Sequence, residues 1–176
     1  MGAFSHCPDL ATIVFAEGTT SIFPNVLRGC ESITNVVIPD GVTKIGDYAF
    51  YYCENLTSVT LPASVTEIGE STFHNCKSLT SIIIPEGVAV IGYYAFDGYK
   101  NLTNVTLPAS VTEIGERTFN NCKSLASIII PEGVTSIGSE AFRGCENLKA
   151  IYVPAKNADY YKQCQPEALH AFIIEQ

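Results

Sequence analysis

Seven cysteines, three histidines and a recurring set of glutamates are the residues of this chain that could do chemistry. Cys7, Cys30, Cys53, Cys76, Cys122 and Cys145 fall on one 23-residue spacing, skipped once where Tyr99 stands, and Cys164 lies apart near the C-terminus. A thiolate metal site wants ligands two to four residues apart at least once, and no such pair occurs. The spacing is therefore structural: a ladder of buried, reduced thiols, with bridges between neighbouring repeats as the alternative. His6, His74 and His170 sit in unrelated contexts, and no serine or cysteine lies in a G-x-S-x-G elbow. A triad assembled across repeats would need irregular loops to hold a base and oxyanion donors, and the repeats carry no insertions. Glu67, Glu70 and Glu86 return as Glu113, Glu116 and Glu132. Such acids could suggest a glycosidase pair or a calcium site, but both need convergence, and duplication with a charged outer surface accounts for the recurrence. The expectation is no catalytic residue, no metal and no cofactor.

The elements that position these residues are repeats. Leu56 to Ser78 reads LTSVTLPASVTEIGESTFHNCKS and returns at Leu102 to Ser124 with three changes in 23 residues. The intervening unit, Leu79 to Asn101, has its own sister from Leu125 to Asn147, so a 46-residue period overlies the 23-residue one. Fixed periods of this size mark stacked architectures, in which each repeat buries its apolar face only against its neighbours. Units begin at Leu10, Ile33, Leu56, Leu79, Leu102, Leu125 and Leu148.

Within a unit, Val59-Thr60-Leu61 alternates in the manner of a short strand with one buried face, and Pro62 ends it. Val65 to Ile68 offers a second β-branched stretch, closed by Gly69, a residue suited to a turn or to close approach of a neighbouring backbone. Phe73 and Cys76, three apart, fit one helical or 3-10 turn. Each coil should read strand, corner, strand, turn, and stacking should set a rise of about 4.8 Å per coil. The fold class is thus a repeat solenoid of β-rich, right-handed coils with short parallel strands.

The ends depart from the frame. Residues 1–9 hold half a repeat, Ala3-Phe4-x-x-Cys7, behind a Met1-Gly2 that reads as an expression remnant of a longer protein. Residues 10–147 hold six 23-residue repeats, the first irregular because Ala16, Phe23 and Leu27 replace its proline, glycine and phenylalanine. Residues 148–176 begin as a repeat and then leave the frame. Asn157 can cap a helix through Tyr160, Tyr161 and Cys164, and Pro166 can start another through Leu169. The expectation is one continuous domain with a helical C-terminal cap.

Ten Lys and Arg against a formal charge of −8 exclude a phosphate-binding surface, so nucleic acid is not an expected partner. No apolar run approaches the roughly 18 residues of a membrane span.

The pattern Leu-x-x-Val-x-Leu-Pro-x-x-Val-x-x-Ile-Gly-x-x-x-Phe-x-x-Cys, as in Leu56 to Cys76, closely resembles the BspA-like leucine-rich repeat. The Ile-Gly-x-x-Ala-Phe-x-x-Cys portion, at Ile45 to Cys53 and Ile137 to Cys145, distinguishes it from ordinary leucine-rich repeats. The segment from Ile151 to Lys162 also looks like the cap of such proteins. The resemblance implies a leucine-rich-repeat solenoid, non-enzymatic and displayed on or secreted from a bacterial cell, acting in adhesion or protein–protein interaction. An architectural stalk presenting another domain is the alternative, and an enzyme a distant third. No binding residue carries over from the family.

The residues themselves offer two candidate surfaces for a protein or glycan ligand. Val14, Val37, Thr60, Ile83, Thr106, Ile129 and Tyr152 occupy the outward middle position of the first strand and should form an exposed row. Such a row either marks a contact or reflects β-propensity alone. Tyr48, Tyr51, Tyr52, Tyr93 and Tyr94 lie on the turn side of alternate coils and should flank a patch around His74, with Tyr99 filling its coil. Asn55, Asn101 and Asn104 begin glycosylation acceptor patterns that arise from the repeat itself.

Overall fold

The computed structural model describes residues 2–155, 158–164 and 171–175. Short strands alternate between two faces of a stack of coils. The first face carries β2 (Asn35–Val37), β4 (Ser58–Thr60), β6 (Ser81–Ile83), β8 (Asn104–Thr106), β10 (Ser127–Ile129) and β12 (Ala150–Val153). The second carries β1 (Ser21–Ile22), β3 (Lys44–Ile45), β5 (Glu67–Ile68), β7 (Val90–Ile91), β9 (Glu113–Ile114) and β11 (Ser136–Ile137). All pairings between these strands are parallel and in 23-residue register, as in Ile22↔Ile45 and Val36↔Val59. The second-face strands form one continuous six-stranded sheet, whereas first-face strands are laddered as β2–β4, β6–β8 and β10–β12.

Alternation does the sorting. The third residue of each first-face strand points outward, while the residues on either side of it, such as Ile82 and Ile84 around Ile83, are buried or half-buried. The interior is a column in which Phe50, Phe73, Phe96, Phe119 and Phe142 stack ring on ring at 5.1, 5.8, 5.5 and 5.8 Å. A single coil could not shield these rings, so the aromatic column exists only in the stack.

Beside it runs the thiol ladder. Cys53, Cys76, Cys122 and Cys145 each donate to the carbonyl of the residue 26 earlier, at 3.1 to 3.3 Å. All six described thiols are free, as the buried-ladder reading expects. Burial pushes the Cys53 thiol up to about 12 and those of Cys76 and Cys122 well above their ordinary value. Tyr99 replaces one rung, fully buried, and its hydroxyl finds no hydrogen-bond partner among the described residues.

Two features refine the local expectations. Gly69, Gly92, Gly115 and Gly138 are required by proximity: a Cβ on Gly92 would lie 2.6 Å from the Gly69 carbonyl carbon. Phe23 occupies the same frame position at the start of the row and stays exposed. The expected helical or 3-10 turn takes the form of linked i→i+3 turns. Tyr51 N donates to Tyr48 O and Cys53 N to Phe50 O, at 3.2 and 3.1 Å. The intervening amides of Tyr48, Phe50 and Tyr52 donate forward to Glu70, Thr72 and His74 of the next coil, each at 2.8 Å. Left-handed residues, Tyr48 and Tyr52 in this coil, keep the turns from winding into a helix.

At the C-terminus, α1 (Ala158–Cys164) packs Tyr161 into the core, its hydroxyl donating to Val134 O at 2.9 Å. A strand outside the sequence expectation, β13 (Ile173–Glu175), then pairs parallel with β12 and covers that sheet edge. Met1, Asn157, Pro166, Leu169 and His170 lie outside the described residues. At the other end, residues 10–16 form no strand, the irregular first coil expected from Ala16.

Candidate partner-binding surfaces

The first-face row is built by strand alternation. Val14, Val37, Ile83 and Ile129 are 86%, 57%, 81% and 58% exposed, Thr60 and Thr106 are exposed, and Tyr152 is half-buried. Register places Val37 beside Thr60, Ile83 beside Thr106 and Ile129 beside Tyr152. From Thr34 to Ile129, the outward strand residues and the residue preceding each strand are Ser, Thr, Asn, Val, Ala or Ile. A chain of net charge −8 thus keeps this face free of charge from β2 to β10, and Lys149 stands before β12.

The turn side is different. Arg28, Tyr51 and His74 share one frame position in successive coils and stack: the Arg28 guanidinium lies 4.7 Å from the Tyr51 centroid, and the Tyr51 and His74 rings are 4.8 Å apart at 10°. Tyr52 leans on both rings, at 4.6 Å from Tyr51 and 5.6 Å from His74, and Tyr94 meets His74 edge-on at 6.5 Å. Tyr48 joins through Tyr51 at 5.5 Å and donates to the Glu70 carboxylate. That bond, followed by burial, raises the Tyr48 phenol above its ordinary value, and burial leads the rise at Tyr51. Four of the five proposed tyrosines thus gather around His74, but Tyr93, 53% exposed, makes no ring contact with them among the described residues.

Sequence reasoning missed the polar partners of this cluster. Asp97, nearly buried, lies 3.4 Å from His74 Nδ1 and accepts from Asn120 Nδ2 at 3.1 Å and Asn121 Nδ2 at 3.4 Å. Arg117 donates to the Tyr94 hydroxyl at 2.7 Å and pairs with Glu140 at 2.5 Å. The Arg117 contact holds the Glu140 carboxyl below its ordinary value. All three arginines of the chain, Arg28, Arg117 and Arg143, stand on this side. Frame arithmetic could have found them, because residues 28, 51, 74, 97, 120 and 143 share one position and residues 48, 71, 94, 117 and 140 another.

The chemistry readings resolve locally. The other nitrogen of His74, Nε2, meets Asn75 Nδ2 at 2.8 Å, so the imidazole is held between an amide and Asp97 rather than beside a nucleophile. Glu67 pairs with Lys44 at 2.6 Å on the second face, Glu70 serves Tyr48 on the turn side, and Glu86 is exposed at a corner. Among the described residues no group of three or more His, Cys, Asp or Glu is placed to hold a metal. No helix among them is long and apolar enough to cross a membrane.

The family model for the BspA type leucine rich repeat region matches residues 1–98 and 43–165, with six copies. A leucine-rich repeat protein of T. pallidum is 35% identical with a TM-score of 0.75, over 78% of this chain and 68% of that one. A leucine-rich repeat protein of Bacteroides ovatus is 31% identical with a TM-score of 0.59, over 76% of this chain and 43% of that one. A leucine rich cell surface protein of Faecalibacterium prausnitzii is 26% identical with a TM-score of 0.55, over 98% of this chain and 61% of that one. The chain therefore spans about half the length of the latter two proteins. No curated protein matches it.

Proposed function

Because the chain belongs to the BspA-type leucine-rich-repeat family, we propose that it is a non-enzymatic module of a bacterial cell-surface protein that binds a protein partner along its first face. The observation that carries this reading is the uncharged row with Ile83 and Ile129 at its centre. Branched apolar side chains standing in solvent beside Ser, Thr and Asn resemble the depleted-charge centre of an interface. A rigid ladder also limits the ordering cost of association. The repeat family supports an interaction role, and the surface location rests on the similarity to the Faecalibacterium protein, which is described as a cell surface protein.

Surface plasmon resonance against purified fibronectin, laminin, collagen and fibrinogen tests the reading. Binding by the intact chain should fall at least about tenfold in Ile83→Glu and Ile129→Glu, with the melting temperature unchanged because both side chains stand in solvent. Binding that survives both substitutions would move the contact elsewhere, and a chain that binds no protein would favour the stalk reading.

A further inference from the structure

Tyr52 stands in a left-handed backbone conformation that glycine or asparagine takes in each of the other full repeats of its column. Residues 6, 29, 52, 75, 98, 121 and 144 share one position; Gly29, Gly98 and Gly144 occupy it at φ of 70°, 79° and 74°, and His6, Asn75 and Asn121 at 56°, 58° and 55°. Tyr52 adopts φ 59° there with a bulky side chain, a conformation disfavoured for such a residue. A strained residue held where glycine would serve is a motive to ask what its side chain does.

The ring of Tyr52 walls a surface recess of about 260 Å³ lined also by His6, Arg28, Gly29, Glu31 and Tyr51. Gly29 sits between His6 and Tyr52 in the column, so the recess opens where one coil lacks a side chain. Tyr51, sandwiched between Arg28 and His74, has both faces covered and acts as a positioning residue. Tyr52, only tilted against that stack and 37% exposed, is the ring left to receive a ligand. Arg28 has no carboxylate within ion-pair distance among the described residues, whereas Arg117 and Arg143 both pair with Glu140.

We propose that this recess is a binding site for a neutral carbohydrate, with the apolar face of a pyranose ring on Tyr52 and its hydroxyls shared between Arg28 and Glu31. A guanidinium supplies fixed donors and a carboxylate fixed acceptors, the pair that vicinal hydroxyls need. Glu31 and the chain's charge of −8 disfavour an acidic sugar. The site lies on the turn side, so it is independent of the first-face row.

Saturation-transfer NMR and calorimetry on the whole chain, with neutral tri- and tetrasaccharides of glucose, galactose, mannose and N-acetylglucosamine, test the proposal. At least one should bind with a Kd of about 1 mM or tighter. Tyr52→Gly and Glu31→Ala should each weaken it at least about tenfold. Both variants should stay folded, because glycine holds the position of residue 52 in three other coils, at Gly29, Gly98 and Gly144, and Glu31 is exposed. Ile83→Glu should leave sugar binding unchanged, which separates this site from the first face. Absence of binding across the panel would overturn the proposal. So would preference for sialyllactose over lactose, or binding indifferent to Tyr52→Gly.

Discussion

Alkylation of the thiol ladder is the sharpest test of whether the coils stack as described. Cys53 is pushed from 9.0 up to about 12, with burial the leading cause. Only the thiolate attacks iodoacetamide. At pH 8 a thiol of ordinary value is about one part in ten ionised and one near 12 about one part in ten thousand, so ionisation alone slows reaction about a thousandfold. Cys7, half-buried in the partial first repeat, serves as the internal reference. Peptide mass spectrometry after timed alkylation should show Cys7 modified while Cys53, Cys76 and Cys122 remain intact, and all should react in denaturant. The same shifts predict alkaline unfolding. A thiol whose folded value lies above its unfolded one stabilises the fold fully below about pH 9, and that stabilisation is lost as pH rises toward about 12. For Cys53 the loss is on the order of 4 kcal/mol. Tyr99, Cys76 and Cys122 are raised by burial in the same sense and should steepen the transition. Cys53 alkylating within tenfold of the Cys7 rate in the folded chain would refute the buried ladder.

Other perturbations follow from the same contacts. Gly92→Ala puts a methyl 2.6 Å from backbone of the previous coil and should cost at least about 1–3 kcal/mol by chemical denaturation. Gly18→Ala, at φ 81° with nothing within 4 Å, should lose only about 1 kcal/mol from its backbone conformation. Phe96→Ala should cost about 3–5 kcal/mol. Phe142→Ala should lose about 1 kcal/mol less, because among the described residues the Phe142 ring stacks on Phe119 alone whereas Phe96 has Phe73 and Phe119 on either side. Tyr52→Gly should change stability by no more than about 1 kcal/mol, since relief of the left-handed tyrosine offsets its lost ring contacts.

Much of the fold was legible because burial in a solenoid is periodic. Val59 and Ile68 recur every 23 residues as their strands do, and proline and glycine punctuate each coil where the chain turns or coils approach. The 46-residue period was visible too, but its cause was not, because it lies in contacts between coils rather than within one. Thr72 and Thr118 alternate with Ala49, Ala95 and Ala141, and each threonine hydroxyl reaches the glycine carbonyls of two coils, Gly69 and Gly46 in the first case. Asn75 Oδ1 lies 2.3 Å from where a Cβ on Gly98 would stand, so the amide in one coil requires the glycine in the next.

The candidate sites were half legible for the same reason. A row such as Val37, Thr60, Ile83 follows from strand alternation alone, and tyrosines are conspicuous by type. The partners that organise them, Arg28 beneath Tyr51 and Asp97 beside His74, are one coil away and become neighbours only when the chain is read down a column at steps of 23. Tyr93 stands in solvent outside the cluster although its neighbour Tyr94 joins it. In a stacked repeat the unit of recognition is therefore the column and not the motif, and a ligand contact should be sought in whichever column breaks its own rule, as Tyr52 does among glycines and asparagines.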